Sequence, residues 1–269
     1  MSFFANIFGY ILNFFYELIG NYGIAIILFS IILKIVMLPI SIKQQKTMKK
    51  SAKLQQQIKE LQDKYKNNPE KLNKETMDLY KRENMNPFSG CLSGIVQIVI
   101  LFAVFYLVKS PLTYMKKVDV GLIEQYTNEI KQESNNNAYP EISIIKEKGK
   151  IDEKVYINMD FLGIDLSSVP TQNLSDWRVY IIPGLYVITS FLSMRMTANM
   201  QNKKNNAGET NEIDAVTQAN KSMSYIMPVM SISIAIIAPL GLALYWLISN
   251  ISIILERLFL DKFLKEEEN

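Results

Sequence analysis

The chain has 269 residues, with 29 Lys and Arg against 26 Asp and Glu, no histidine and a single cysteine, Cys91. That inventory excludes an intrachain disulfide, a Cys/His metal centre and the Ser-His and Cys-His catalytic arrangements, so neither a cofactor nor an enzyme activity is expected. A hydrophobic content of 49%, bunched into long runs, excludes an ordinary soluble domain and points to a membrane protein.

The opening stretch, "MSFFANIFGYILNFFYELIGNYG", has neither a basic region nor a small-residue cleavage site and does not read as a cleaved secretory signal. Within residues 1–21, Phe4, Phe8, Ile11, Phe15 and Leu18 share one helical face, with Asn6, Tyr10, Asn13 and Glu17 on the other. This predicts an amphipathic helix in the outer interface of the membrane, with an additional span as the alternative. Residues 22–40 approach the ~20 apolar residues that cross a bilayer and form the first predicted span. It is interrupted by Lys34 in "LFSIILKIVML".

Residues 41–90 are polar, and "NNPE" divides them into two helices, with Asn67-Asn68-Pro69 as the turn and Asn86-Pro87 as the stop. Leu54, Ile58, Leu61 and Tyr65 make one apolar stripe and Leu72, Met77 and Tyr80 a looser one, so the helices are predicted to close into a hairpin. Its first half carries Lys43, Lys46, Lys49, Lys50, Lys53 and Lys59 without an acid. A face solvated near anionic headgroups, at about 1 kcal/mol per Lys, explains this run. A docking surface for a nascent chain, ribosomal RNA or a targeting factor explains it too, and spacing does not separate the two.

Further spans are predicted at 91–108, 179–196, 222–238 and 239–259, the last two joined through "APLG" into a helical hairpin, with an acidic tail at 260–269. In the 109–178 connection, "EISII" and "KVYINMDFLGIDL" flank the polar run "KQESNNNAYPE", so local order beside a less ordered run is expected. Residues 42–90 hold 12 Lys or Arg against 6 acids, whereas 110–178 hold 8 against 11. The positive-inside rule therefore makes the hairpin, the 197–221 loop and the tail cytoplasmic. The 109–178 connection and the N-terminus are then outside a plasma membrane crossed five times.

Charge inside lipid is costly, so Lys34 frames the functional question. Ser30 precedes it by one turn on the same face; Ser93 and Gln97 repeat that spacing in the second span, and Trp246 and Asn250 in the fifth, with Ser249 beside them. Ser190 and Ser193 lie near one face of the third. Interhelical hydrogen bonds, each worth roughly 0.6–2 kcal/mol, are one explanation of such stripes. For Lys34, snorkelling is another, since Ile40 lies about 9 Å further along the axis. We find no Asp or Glu in the hydrophobic part of any span, so Lys34 is expected to lack an intramembrane counter-ion and to be kept in water. The expected site is a hydrophilic groove open to the cytoplasm and lined by Lys34, Ser30, Ser93, Gln97, Trp246 and Asn250.

In order along the chain, "NYGIAIILFSIILKIVMLPI", the basic hairpin, "NPFSGCLSGIVQIVILFAVFYLV", "NMDFLGIDLSS" and "MSYIMPVM…APLGLALYWLISN" resemble the YidC family of membrane protein insertases. The resemblance implies an all-α membrane protein whose five-helix core encloses a groove open to the cytoplasm and to lipid but closed to the outside. It implies insertion and folding of integral membrane proteins without nucleotide hydrolysis, alone or beside the Sec translocon. Nascent membrane proteins are then the clients, with the Sec translocon, the signal recognition particle receptor, the ribosome and anionic lipids as partners, no sequence-specific nucleic acid, and an active monomer. The family's groove charge, typically arginine, falls on Lys34, which keeps the charge but lacks the planar five-donor fork. The tail "DKFLKEEEN" departs from the long basic extension of some relatives and would repel ribosomal phosphates. The form looks like the short one of Gram-positive bacteria. A small-solute or ion channel or transporter is the competing reading; the membrane carboxylates that proton or sodium coupling would use are not expected here.

Overall fold

A computed structural model describes residues 2–83, 89–133, 138–202, 230 and 232–266, with side chains except at 48, 49, 51–53, 55, 56, 89–95, 132, 133, 197–202 and 260–266. The chain is an all-α membrane protein. Its described helices are α1 (Ser2–Ile19), α2 (Tyr22–Lys64), α3 (Pro69–Arg82), α4 (Ser89–Lys109), α5 (Val120–Glu133), α6 (Pro140–Lys148), α7 (Ile181–Asn202) and α8 (Leu240–Glu266). By length and composition α1, α2, α8 and the stretch 177–196 could each cross a membrane, and 96–109 is a shorter apolar helix. Of the expected fourth span, residues 230 and 232–237 are helical, and 222–229 and 231 lie outside the described residues.

Helix α2 runs 43 residues from the first span into the polar hairpin without a break at Pro39. The ring leaves the Ile35 carbonyl without its usual donor, a cost the flanking turns absorb. Asn68 caps α3, accepting from the Lys71 amide at 3.1 Å, with Pro69 in the first turn, where its missing N–H costs nothing. Leu54, Ile58 and Leu79 form the hairpin core, with Leu61 and Tyr80 packed against it. Met77, expected on that stripe, is exposed. Leu79 follows Leu72 by seven residues and returns to the same row, whereas Met77 follows by five and is displaced by about 140°.

Helices α2 and α8 start at the same end of the bundle and run in the same direction, because the 110–178 connection holds both N-termini. The Tyr22 amide donates to the Asn158 carbonyl at 3.0 Å, and the Leu240 and Gly241 amides donate to the carbonyls of Ser168 and Leu166 at 2.9 and 3.1 Å. These are first-turn N–H groups that no helix can satisfy internally, and in apolar surroundings each needs a partner. Asn158 also donates from Nδ2 to the Gly20 carbonyl at 3.0 Å, and Asn21 from Nδ2 to Asp160 at 2.7 Å.

The same connection contains an antiparallel hairpin, β1 (Asp160–Phe161) and β2 (Ile164–Asp165). Leu162 and Gly163 turn it with φ of 55° and 77°, the two left-handed positions of a tight two-residue turn. The connection is more ordered than its weak pattern suggests. Helices α5 and α6 are joined by the Lys148–Glu129 ion pair at 2.9 Å, while residues 134–137 of the polar run lie outside the described residues. Glu141 of α6 is buried and accepts from the Thr113 amide at 3.0 Å and the Thr113 hydroxyl at 2.6 Å. Burial pushes its carboxyl above the usual carboxylate range, against the lowering effect of those donors.

Helix α1 packs through Ala5, Phe8, Leu12 and Tyr16. The expected apolar face therefore divides: Phe8 is buried, whereas Phe4 and Leu18 are exposed with Phe3, Ile7 and Phe14. Apolar residues surround most of this helix, so its pattern does not decide which side meets the bundle. Lys117 contacts Asn6, and Lys116 lies 3.7 Å from Glu17. Two adjacent lysines thus meet positions about 16 Å apart on α1, and the Phe8 ring lies 5.6 Å from that of Phe29, two turns into α2.

Candidate functional site: a charged groove

A shallow, open depression lies between α2, α4 and α8. From α2 come Ser30, Leu33, Lys34 and Met37, the successive positions of one helical face, followed by Ile40, Ser41 and Gln44. Helix α4 adds Val96, Gln97 and Ile100, and α8 adds Tyr245 and Ser249. Ser30 is buried and its hydroxyl donates to the Ile26 carbonyl of its own helix at 2.6 Å, leaving its oxygen lone pairs as acceptors. Gln97 is exposed at the opening.

Lys34 has a counter-ion. Its Nζ lies 3.2 Å from Glu256 Oε2, with side-chain exposures of 22% and 10%. The expectation of an unpaired lysine is corrected by this carboxylate, which stands in the last turn of the 239–259 stretch. At 1.5 Å per residue, Lys34 is ~18 Å along α2 from Tyr22 and Glu256 ~24 Å along α8 from Leu240, a gap that the two side chains span. The lysine thus leans toward the hairpin end, as snorkelling requires, while its stem stays at the groove. The neighbouring exposed residues Ile35, Val36, Leu255 and Leu258 are apolar. Isolated charge would be costly there, and pairing lowers that cost.

The next residue, Arg257, turns the other way and donates from Nη1 to the Ser193 carbonyl of α7 at 3.0 Å. Asn250 donates from Nδ2 to Ser190 Oγ at 2.7 Å, and the Trp246 and Tyr186 rings lie 5.7 Å apart. Trp246 and Asn250 therefore face α7, and the adjacent row, Tyr245 and Ser249, faces the groove. Both rows have the same four-residue spacing and differ by about 100° around the axis, which spacing alone cannot resolve. The structure brings together Lys34, Ser30 and Gln97; the Ser93 side chain lies outside the described residues. Glu256, Arg257 and Tyr245 were missed, although "SIILERLFL" carries two adjacent charges in an apolar run and Glu256 follows Ser249 by two turns.

On the hairpin, Lys43 and Lys46 are exposed and Lys59 is half-buried, while Lys49 and Lys53 lie outside the described side chains. Lys50 is engaged by α3, donating to the Glu83 carbonyl with the Glu83 carboxylate 4.0 Å away. Among the described residues no group of three Cys, Asp or Glu side chains could hold a metal ion.

Long apolar helices around a polar, cation-bearing groove, with a helical hairpin extending beyond them, define a groove-bearing multi-pass membrane protein. The chain belongs to the 60Kd inner membrane protein family, whose profile it matches over residues 14–267. It is similar to "Membrane protein insertase YidC" of Treponema denticola, 29% identical over 257 residues, covering 96% of this chain and 37% of that protein. The protein of the same name in Fusobacterium nucleatum is 28% identical over 253 residues, covering 94% of this chain and 92% of the relative. That of Caldanaerobacter subterraneus is 28% identical over 243 residues, covering 90% and 86%. The chain thus spans little more than a third of the first relative and most of the other two. The resemblance read from the residues was to these same proteins.

Proposed function

We propose that this protein inserts integral membrane proteins and helps them fold. A polar client segment enters the groove from the hairpin side, which shortens the apolar distance left to cross, and the client's apolar span then moves into lipid. No nucleotide or covalent chemistry is used; burial of the client's span drives the step at ~0.8 kcal/mol per CH₂. The single observation that carries this reading is the depression holding Lys34, Ser30 and Gln97 among apolar helices, in a chain whose relatives are named membrane protein insertases.

In this reading the hairpin and C-terminus are cytoplasmic, the N-terminus is outside, and α1 lies in the outer interface. The 110–178 connection, bonded to the first turns of α2 and α8, closes the groove on the outside. The hairpin lysines meet anionic lipid and nascent clients, with the Sec translocon, the signal recognition particle receptor and the ribosome as further partners of an active monomer. The test is complementation: expression of this chain should restore growth to a bacterial strain depleted of its own insertase, and expression at the membrane without rescue would count against the proposal. Glu256 supplies the channel or transporter alternative with a membrane carboxylate. Solute or ion flux through reconstituted protein that inserts no client would favour that alternative.

A further inference from the structure

We propose that Glu256 is a built-in competitor for the groove cation: it holds Lys34 while the groove is empty and yields to an acidic side chain of a client, and so sets the groove's preference for acidic over neutral clients. The inference deepens the insertion reading and rests on it. Lys34 lines the groove, whereas Glu256 does not; it stands two turns beyond Ser249 on the same row of α8, toward the hairpin end. The pair therefore reaches out of the groove and leaves the lysine stem inside it.

A client carboxylate entering beside Ser30 and Gln97 meets an ammonium already neutralised at 3.2 Å. Its gain is the difference between two similar ion pairs, reduced further by the cost of leaving Glu256 unpaired. Lysine favours such an exchange: its ammonium has three donors on a flexible stem and can contact the arriving carboxylate before releasing the old one. The 22% exposure of the Lys34 side chain leaves room for that approach. Glu256 then stands unpaired beside the exposed apolar residues Leu255 and Leu258, and that cost limits what an acidic client gains. A purely structural staple between α2 and α8 would use the same contact without depending on the client's charge, and this separates the two roles.

The experiment uses the full chain in phosphatidylethanolamine/phosphatidylglycerol vesicles and two single-span clients differing by one Asp→Asn change in the translocated segment. The readout is the ratio of their insertion rates. Glu256→Gln should raise the acidic-to-neutral ratio about fivefold, the equivalent of ~1 kcal/mol for a part-exposed pair. Glu256→Asp should restore the wild-type ratio, and Lys34→Gln should abolish the preference. If Glu256→Gln does not fold, the exchanged pair Lys34→Glu with Glu256→Lys keeps the contact and should favour the neutral client. A Glu256→Gln protein that changes both clients equally, or an exchanged pair with the wild-type ratio, would overturn the proposal. Failure of the wild-type protein to insert either client would instead overturn the insertion reading.

Discussion

At Gly9, α1 lies against the backbone of the Leu112–Lys116 turn. A Cβ at this position would lie 1.9 Å from the Tyr114 carbonyl oxygen and 2.6 Å from its carbon. Those atoms are backbone, in the π-helical turn Leu112–Lys116, and cannot swing aside as a side chain would. Since non-bonded atoms settle near 3.5 Å, Gly9→Ala would push α1 back by roughly 1.5 Å. That retreat loosens Phe8, Leu12 and Tyr16 together, and overpacking of this kind costs about 1–3 kcal/mol. For a chain of this size the loss should lower the apparent melting temperature by about 3–10 °C. Gly184→Ala is the control, because a Cβ there meets nothing within 4 Å and alanine favours the helix. Both variants would be melted in detergent by circular dichroism at matched scan rates. A Gly9→Ala protein as stable as Gly184→Ala would refute the close approach of α1 to the Leu112–Lys116 turn.

At Lys34, arginine should preserve insertion, alanine should reduce it and glutamate should be worst; equal insertion by all three variants would show that no charge is needed. Stability should follow the same order, because alanine strands the Glu256 carboxylate at a cost of about 1–3 kcal/mol, below the fully buried case. Removing Glu256 as well should recover melting temperature but not insertion. The Glu141 carboxyl has a folded pKa above its ordinary value of 4.5, so the stability linked to its neutral form is full below that value and is lost as pH rises through the folded pKa. Glu141→Gln keeps an acceptor for the Thr113 amide and stays neutral, so its melting temperature relative to wild type should climb from pH 4 to pH 8; a flat or falling difference would contradict this. In the hairpin, Leu79→Ala should cost about 2–4 kcal/mol and expose α3 to hydrogen exchange, with Met77→Ala within about 0.5 kcal/mol of wild type.

Apolar run lengths were enough to read the helical membrane class. The hairpin was legible because its turn is written in local chemistry: Asn68 can cap and Pro69 can start a helix wherever they stand. Rotation about a helix axis was not legible on α8, where Tyr245/Ser249 and Trp246/Asn250 have the same spacing and only packing against α7 decides between them. Lys34 was recognised as exceptional, but its partner was not, because a contact between residues 34 and 256 depends on the relative depth of two parallel helices. That depth is set by the carbonyls of Asn158, Leu166 and Ser168, within the stretch whose pattern was weakest. The order there comes from pairing with helix ends rather than from a periodic apolar face.

In the proposed mechanism a client's polar segment passes through the groove beside Lys34. Photo-crosslinking from single sites measures this directly, using a client stalled during insertion into vesicles. A probe at Gln97, on the groove side of α4, should capture the client's polar segment, whereas a probe at Phe191, exposed on α7 outside the groove lining, should not. Capture from Phe191 with none from Gln97, or equal capture from both, would contradict it.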